Sequence, residues 1–252
     1  GAAGYFAAIT AAQTNPSLQV ILLEAGSQVL RKVKISGGGR CNLTHHCFEP
    51  KELSTKYPRG AKELRGAFHH WQPRNTIEWF EERGVKTKVE EDGRMFPVSD
   101  DSQTVINCLR SEAHNHGVSE RLNSRVTALQ QIKGQWELEL NGKEFLIVDK
   151  VCLALGSLKQ SGLEEILRKL GHTISPLIPS LFAFNLPSHP LKDLAGVAVQ
   201  HATVRTFRKS VAQVGPILIT HRGLSGPAIL RASAWDACEL AKANYQFTAE
   251  IN

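Results

Sequence analysis

Length, composition and charge exclude several classes of protein. The chain has 252 residues, of which 42% are hydrophobic, as expected of a globular protein with a buried core. No stretch approaches the roughly 18 consecutive apolar residues that a membrane-spanning helix needs. The five cysteines are an odd number without a C-x-x-C pair. We therefore expect no disulfide framework, and we expect the protein to lie in a reducing compartment, the cytoplasm.

The net charge of +6 is concentrated in two segments. Between Glu24 and Glu49 there are four cations and no acid, and between Asp193 and Asp236 there are five cations and no acid. These cations are Arg31, Lys32, Lys34 and Arg40 in the first segment, and Arg205, Arg208, Lys209, Arg222 and Arg231 in the second. Such runs are usually solvated faces, but two acid-free segments are also typical of a cleft that attracts a polyanion.

The N-terminal half predicts alternating helices and strands. Small residues over 2–12 predict a helix, and the apolar run over 20–23 is typical of a buried parallel strand. A long glycine-rich loop is expected over 26–44. The remaining predictions in this half are a helix from Pro73 to a stop at Gly84, a strand over 85–89, a turn over 91–99 and a helix over 101–116.

The C-terminal half predicts mainly strands. Strands are expected over 125–132, 135–140 and 143–148, and Asn141-Gly142 is a strong hairpin signal. Then follow an apolar strand over 150–155, a helix over 163–170, a loop over 220–226, a helix over 227–240 and a strand over 245–251. Prolines become frequent near Ser175, where β-rich sequence begins. We therefore predict one domain over 1–175 and a second over 176–252.

The first motif is Gly1-Ala2-Ala3-Gly4, which opens the N-terminal helix, with Glu24 at the end of the following strand. This order is the second half of a dinucleotide-binding fingerprint. The helix N-terminus would face a pyrophosphate, and Glu24 would accept hydrogen bonds from the adenosine ribose. Close helix packing is the alternative role for the two glycines. The motif places a first strand before residue 1, so the chain is expected to be truncated there.

The second motif is Ser36-Gly37-Gly38-Gly39-Arg40-Cys41-Asn42. Three glycines let the backbone approach a planar ligand, while Arg40 and Asn42 offer donors to carbonyl or phosphate oxygens. A flexible surface loop is the alternative. The nearby Cys41, His45, His46 and Cys47 are too close in sequence to form a tetrahedral zinc site, so no metal is expected.

Two further segments carry candidate ligand-binding residues. Arg94 follows the Asp92-Gly93 turn and is a candidate to face a ligand. His221 and Arg222 lie in the polar loop expected between a strand and a helix that starts at Pro227. A loop at a helix N-terminus can bind an anion or deliver a proton, although a lone histidine is more often structural.

Together and in this order, the motifs resemble those of a family of bacterial NAD(P)/FAD-dependent oxidoreductases. That family includes bile-acid-type reductases and proteins assigned to dihydrouridine formation in ribosomal RNA. The resemblance covers essentially all of the chain, and its anchors are residues 1–4, 36–42, 91–94, 96–99, 171–174 and 220–227.

The resemblance implies an α/β, FAD-binding Rossmann-like fold of the two-dinucleotide-binding-domain type, with an inserted β-rich domain. It implies that Gly1, Ala2, Ala3 and Gly4 contact the FAD pyrophosphate, Glu24 the ribose, and the Val126 backbone the adenine. Residues 36–42 would lie near the flavin ring, with Gly156 as a further cofactor contact. Residues 158–162 are expected to be a shortened connection, and a closing glycine-rich segment is expected after Asn252.

The resemblance also implies a reaction, in which hydride passes from NAD(P)H through FAD to an activated C=C bond. Uridine in ribosomal RNA is a candidate substrate. His221 and Cys41 are candidate proton donors, and Arg40, Arg94 and Arg222 are candidate anion or carbonyl clamps. Structured RNA is the leading partner, with a small molecule as its rival. The alternative functions are an oxidase of a small amine and a non-catalytic RNA-binding module.

Overall fold

The computed structural model describes residues 1–157 and 162–252. They form two compact units, Gly1–Ile174 and Ser175–Asn252. The shortened connection expected over 158–162 lies outside the described residues, apart from Gly162. In the part of the chain that is described, no helix is long and apolar enough to cross a membrane.

The first unit begins with a helix and a parallel strand, as predicted. Helix α1 (Ala2–Thr14) is rich in alanine, the best helix former, and ends where Asn15 takes the extended backbone favoured before a proline. Strand β1 (Ile21–Leu23) follows and packs against α1. It pairs in parallel with a strand over Ser119–Arg121, called β5 below. That partner was not predicted because none of its three residues is apolar.

Helices and short strands fill the sequence between these two paired strands. They are α2 (Arg31–Ile35), β2 (Thr44–His45), α3 (Pro50–Ser54), α4 (Ala61–His70), α5 (Pro73–Glu81), β3 (Thr87–Val89), β4 (Arg94–Pro97), α6 (Ser102–Asn115) and β5 (Ser119–Arg121). The predicted helices α5 and α6 are confirmed. The prediction of a continuous loop over 26–44 is wrong, because α2, a 3-10 turn (Ser36–Gly39) and β2 occupy much of this segment.

Strand β4 corrects the prediction of a turn over 91–99. It lies in the middle of an antiparallel sheet of order β2–β4–β3. A turn over 91–93 precedes the strand and a second turn at Val98 and Ser99 follows it, while the strand itself buries Met95 and Phe96. Thr44 lies opposite Met95, and Lys88 lies opposite Phe96. This sheet therefore brings the residues after the glycine-rich segment next to the 94–97 segment.

The main core of the first unit lies between α1, β1, α5 and α6. Its most deeply buried large side chains are Tyr5, Ile9, Leu30, Phe80, Val105 and Leu109. A second core supports an antiparallel sheet of β6 (Val126–Ile132), β7 (Gln135–Leu140) and β8 (Glu144–Val148), all three as predicted. Asn141 and Gly142 take left-handed backbone at the β7–β8 turn.

The segment after β8 departs from the prediction. Residues 150–155 form no strand with any described part of the chain, and Leu153 and Leu155 are exposed. An apolar run alone does not make a strand, because its backbone needs a neighbouring strand to pair with. Helix α7 (Glu164–Lys169) confirms the helix expected next.

The second unit is a five-stranded antiparallel sheet with two helices. Its strands are β9 (Phe184–Asn185), β10 (Ala198–Arg205), β11 (Gln213–Thr220), β12 (Gly223–Ser225) and β13 (Glu250–Ile251), in the order β13–β10–β11–β12–β9. Helix α8 (Pro227–Trp235) buries Ile229 and Ala232 against the inward side chains of the sheet. The β-rich character is as predicted, while an inserted position in the whole protein stays a prediction.

Three details of the second unit correct the sequence predictions. The helix over 227–240 is two helices, because α8 ends at Asp236 and α9 (Ala237–Lys242) follows. The strand over 245–251 is reduced to β13. The loop over 220–226 is a tight hairpin in which Thr220 pairs with Gly223. A side chain at Gly223 would overlap the Phe184 carbonyl oxygen, so glycine permits β9 to pack beside β12.

Candidate functional site

The first turn of α1 carries no charge that would repel an anion. Gly1 is its N-cap, and no acidic side chain lies in the turn. The leading N–H groups of a helix have no intrahelical partner, and the helix dipole makes that end positive. A positive helix end without an acidic neighbour favours an anionic group.

Glu24 lies one residue beyond β1 and is fixed there by its backbone. Its N–H donates to the Arg121 carbonyl at 2.9 Å, and its carbonyl accepts from Ser124 N–H at 2.8 Å. The carboxylate Oε1 accepts from Gly26 N–H at 2.8 Å. Among the described residues, Oε2 accepts no hydrogen bond, so this oxygen is available to a ligand hydroxyl.

A buried hydrogen bond ties the start of α1 to the β1–β5 pair. The Tyr5 hydroxyl donates to Glu120 Oε1 at 2.6 Å, and Glu120 lies opposite Leu22 in the parallel pair. Burial, reinforced by Glu120, raises the pKa of Tyr5 well above its ordinary value of 10.0. Tyr5 therefore stays protonated and holds α1 in place across the physiological pH range.

Gly156 and Val126 are two further candidate cofactor residues. Gly156 is exposed with left-handed φ of 71°, and a Cβ there would lie 3.7 Å from Lys32 Nζ. Lys32, from the first acid-free segment, thus reaches the residues after 150. Val126 is half-buried at the start of β6, opposite Leu140. Gly4 lies close to the same region, because a Cβ added at Gly4 would be 3.5 Å from Ala154 Cβ.

The glycine-rich loop over 36–42 is a packed turn with one open side. Gly37, Gly38 and Gly39 have left-handed φ angles of 56°, 69° and 89°. A Cβ on Gly37 would lie 2.7 Å from Phe96 Cε1 and 2.8 Å from Asn42 N. A Cβ on Gly38 or Gly39 would meet nothing within 4 Å. One side of the loop therefore rests on β4, and the other is accessible to a ligand.

Cys41 and Asn42 hold the end of this loop. Cys41 is buried, and its N–H donates to the Ser36 carbonyl at 3.0 Å. Burial raises the pKa of the Cys41 thiol above its ordinary value of 9.0, so the sulfur is protonated at neutral pH. With its amide nitrogen facing Met95 and Thr44, Asn42 donates to their carbonyls at 3.2 and 2.9 Å.

Arg40 and Arg94 lie beside the same buried ring and are paired with carboxylates. Their guanidinium carbons are 4.0 and 5.5 Å from the Phe96 ring centroid. Alternating charges form an ion-pair chain, defined as Lys88, Asp100, Arg40, Glu90, Arg94 and Asp92 in order of contact. The sequence prediction identified the two arginines and missed Glu90 and Asp100, whose shared partner Arg40 is distant in sequence.

His221 and Arg222 lie in the second unit, where they form the exposed turn of the β11–β12 hairpin. They are therefore not at a helix N-terminus, contrary to the sequence prediction. His189, which was not predicted, supports this turn because its Nε2 lies 2.7 Å from the Thr220 carbonyl oxygen. Across the described ranges, no group of three or more His, Cys, Asp or Glu side chains could hold a metal ion.

This architecture, an α/β unit with a helix N-terminus and an acid beyond a parallel strand, is that of a Rossmann-type protein. Residues 1–226 match the family described as the HI0933-like protein Rossmann domain, and the chain belongs to that family. The predicted fold class and the predicted family are both confirmed.

Three relatives with assigned activities are similar to most of the chain. The chain is 31% identical to the ribosomal RNA dihydrouridine synthase of Escherichia coli, covering 97% of the chain and 61% of that protein. It is 29% identical to the 3-dehydro-bile acid delta(4,6)-reductase of Clostridium scindens, covering 92% of the chain and 58% of that protein. It is 27% identical to the ribosomal RNA dihydrouridine synthase of Haemophilus influenzae, covering 100% and 65%. The chain thus spans about three-fifths of the length of these relatives.

Gly37→Ala and Gly38→Ala form a matched pair that tests the packing of the loop. Both glycines have left-handed backbone, but only Gly37 is in close contact with Phe96. We expect Gly38→Ala to cost roughly 1 kcal/mol through its backbone conformation, and Gly37→Ala to cost about 1–3 kcal/mol more through overpacking. Urea unfolding measures both values. Equal losses would show that Phe96 does not support the loop.

Proposed function

We propose that the protein is an FAD-dependent oxidoreductase. The α1 N-terminus and Glu24 hold the adenosine diphosphate part of FAD, and the loop over 36–42 lies beside the flavin ring. The observation that carries this proposal is the combination of an acid-free first turn on α1 with a free carboxylate oxygen on Glu24, both positioned by the β1–β5 pair.

The donor set suits this cofactor. A pyrophosphate needs N–H donors and no nearby acid, which the first turn of α1 provides. A ribose hydroxyl needs an acceptor, which Glu24 Oε2 provides. The Val126 backbone would meet the adenine, Gly156 would be a further contact, and Gly38 and Gly39 leave space for a planar ring. When bound, FAD supplies hydride transfer, and NAD(P)H is the proposed reductant.

The remaining candidate residues orient the substrate and supply a proton. The Cys41 thiol is protonated at neutral pH and is one proposed donor to an activated C=C bond. His221, exposed at its hairpin turn, is the other. Arg94 and Arg222 are the proposed clamps for a substrate anion or carbonyl. Arg40, like Cys41, is a proposed catalytic residue in the loop over 36–42, and its ion pair with Glu90 restricts the orientation of its guanidinium.

We propose uridine in structured ribosomal RNA as the substrate, acted on in the cytoplasm. Two relatives are named as ribosomal RNA dihydrouridine synthases, whereas the bile-acid reductase supports a small-molecule substrate. A basic loop favours RNA. Arg205, Arg208 and Lys209 are exposed at the β10–β11 connection, and none forms an ion pair with a described carboxylate. An inserted β-rich domain over 176–252 would carry this loop.

The first test of the cofactor site is Glu24→Ala in the full-length protein. Loss of a charged hydrogen bond to the ribose should weaken FAD binding by about 1.5–3 kcal/mol, or roughly 10- to 150-fold in Kd. Riboflavin, which lacks the adenosine, should bind the variant and the parent equally. Flavin fluorescence titration measures both ligands.

Glu91→Ala is the matched control, because Glu91 is an exposed acid in the same unit and has no proposed role. It should leave the affinity for FAD unchanged. Unchanged FAD binding in Glu24→Ala, or an equal loss of riboflavin binding, would contradict the assignment of Glu24 to the adenosine ribose.

The second test reverses the charge of the basic loop with Arg205→Glu, Arg208→Glu and Lys209→Glu together. RNA affinity should fall steeply with salt in the parent, because bound phosphates release counterions. The triple variant should bind RNA at least about tenfold more weakly and show a smaller salt slope, while FAD is retained.

Filter binding of a ribosomal RNA fragment at several salt concentrations gives these affinities. RNA binding that is absent at low salt, or unaffected by the reversals, would favour small-molecule reduction. A colourless full-length protein that binds RNA would favour the non-catalytic RNA-binding module. Rapid reoxidation by O₂ with release of hydrogen peroxide would favour an amine oxidase.

A further inference from the structure

Glu90 is the centre of the ion-pair chain around Phe96. Its Oε1 accepts from Arg40 Nη1, and its Oε2 accepts from Arg40 Nη2 at 3.5 Å and from Arg94 Nη2 at 3.3 Å. Glu90 follows β3, about 50 residues from Arg40 in sequence. One carboxylate therefore joins the glycine-rich loop to β4 through both arginines.

Arg40 transmits this constraint to the loop. Asp100 also holds its guanidinium, 3.5 Å from Nη1, and the planar group lies 4.0 Å from the Phe96 ring centroid. Phe96 is completely buried, and its Cε1 faces the position that a Cβ of Gly37 would occupy. Arg40 and Gly37 of the loop thus contact the same Phe96 ring, and Glu90 holds Arg40 in that contact.

We propose that Glu90 is a positioning residue for the loop over 36–42. By holding Arg40 against Phe96, Glu90 keeps the left-handed turn in place with Gly38 and Gly39 on its open side. That the ligand on this open side is the flavin ring rests on the function proposed above. The positioning itself does not depend on that function.

An ordinary surface ion pair would have little effect on the loop, because exposed pairs contribute little to stability. Glu90 differs from such a pair because its side chain is only 27% exposed and it contacts two arginines that both lie by one ring. The test must therefore separate a local effect on the loop from a general loss of stability.

Hydrogen exchange of the full-length protein freed of FAD gives this separation. The reporters are the N–H groups of Cys41 and Leu43, which donate to Ser36 and Met95. Glu90→Gln should speed their exchange at least about tenfold and leave the α6 amides unchanged. The exposed neighbour Glu91→Gln should change neither. Unchanged loop exchange, or faster exchange spread equally over α6, would overturn the proposal.

Arg40→Lys provides a second variant should Glu90→Gln fail to fold. It keeps the positive charge and loses the planar group that lies over Phe96. It should also speed hydrogen exchange of the loop. The double variant with Glu90→Gln should speed this exchange by less than the product of the two single factors, since both residues act through one contact. Multiplicative effects would show that the two residues act independently and would contradict the proposal.

FAD titration then distinguishes this inference from the proposed function. Glu90→Gln should weaken both FAD and riboflavin about tenfold, since the loop faces the ring that the two ligands share. Glu24→Ala should weaken FAD alone and leave loop exchange unchanged. Retained flavin affinity in Glu90→Gln, with FAD lost in Glu24→Ala, would overturn the role of Glu90 and leave the FAD site intact.

Discussion

The contact between Gly37 and Phe96 is the constraint on which the candidate site depends. A residue larger than glycine would meet the Phe96 ring and the Asn42 N–H, and its left-handed backbone would be strained. The buried ring therefore fixes where the turn begins, and the Cys41 and Leu43 hydrogen bonds fix where it ends. The turn is therefore held from both ends by described contacts.

Ion pairing distinguishes the two arginines beside Phe96 from the other candidate cations. In the first unit, Arg40 and Arg94 form ion pairs with carboxylates of the 90–100 segment. These ion pairs reduce the positive charge of the two arginines and fix their orientation. In the second unit, Arg205, Arg208 and Lys209 are exposed without described carboxylate partners. Arg31, Lys32 and Lys34 of the first acid-free segment are also exposed, and none forms an ion pair with a described carboxylate. Both acid-free segments therefore offer positive charge that favours a long-range attraction for a polyanion.

The sequence predicted those helices and turns that are determined by residues close together in the chain. Alanine-rich α1, the capped helices α5 and α6, and the hairpin at Asn141 were correct because propensity, caps and turn residues act over a few positions. β5 has no apolar residue and depends on pairing with the distant β1, and β4 pairs with the distant β2 as well as with its neighbour β3. The Glu90 contact likewise joins distant segments, which no short motif reveals.

The most direct measurement is to identify the flavin that the full-length protein carries. The protein is purified, denatured, and its released cofactor is separated by chromatography and weighed by mass spectrometry. The account predicts non-covalent FAD at about one per chain, because the α1 N-terminus is proposed to bind its pyrophosphate and Glu24 its adenosine. FMN, which has neither, or a protein without any flavin that does not bind added FAD, would contradict it.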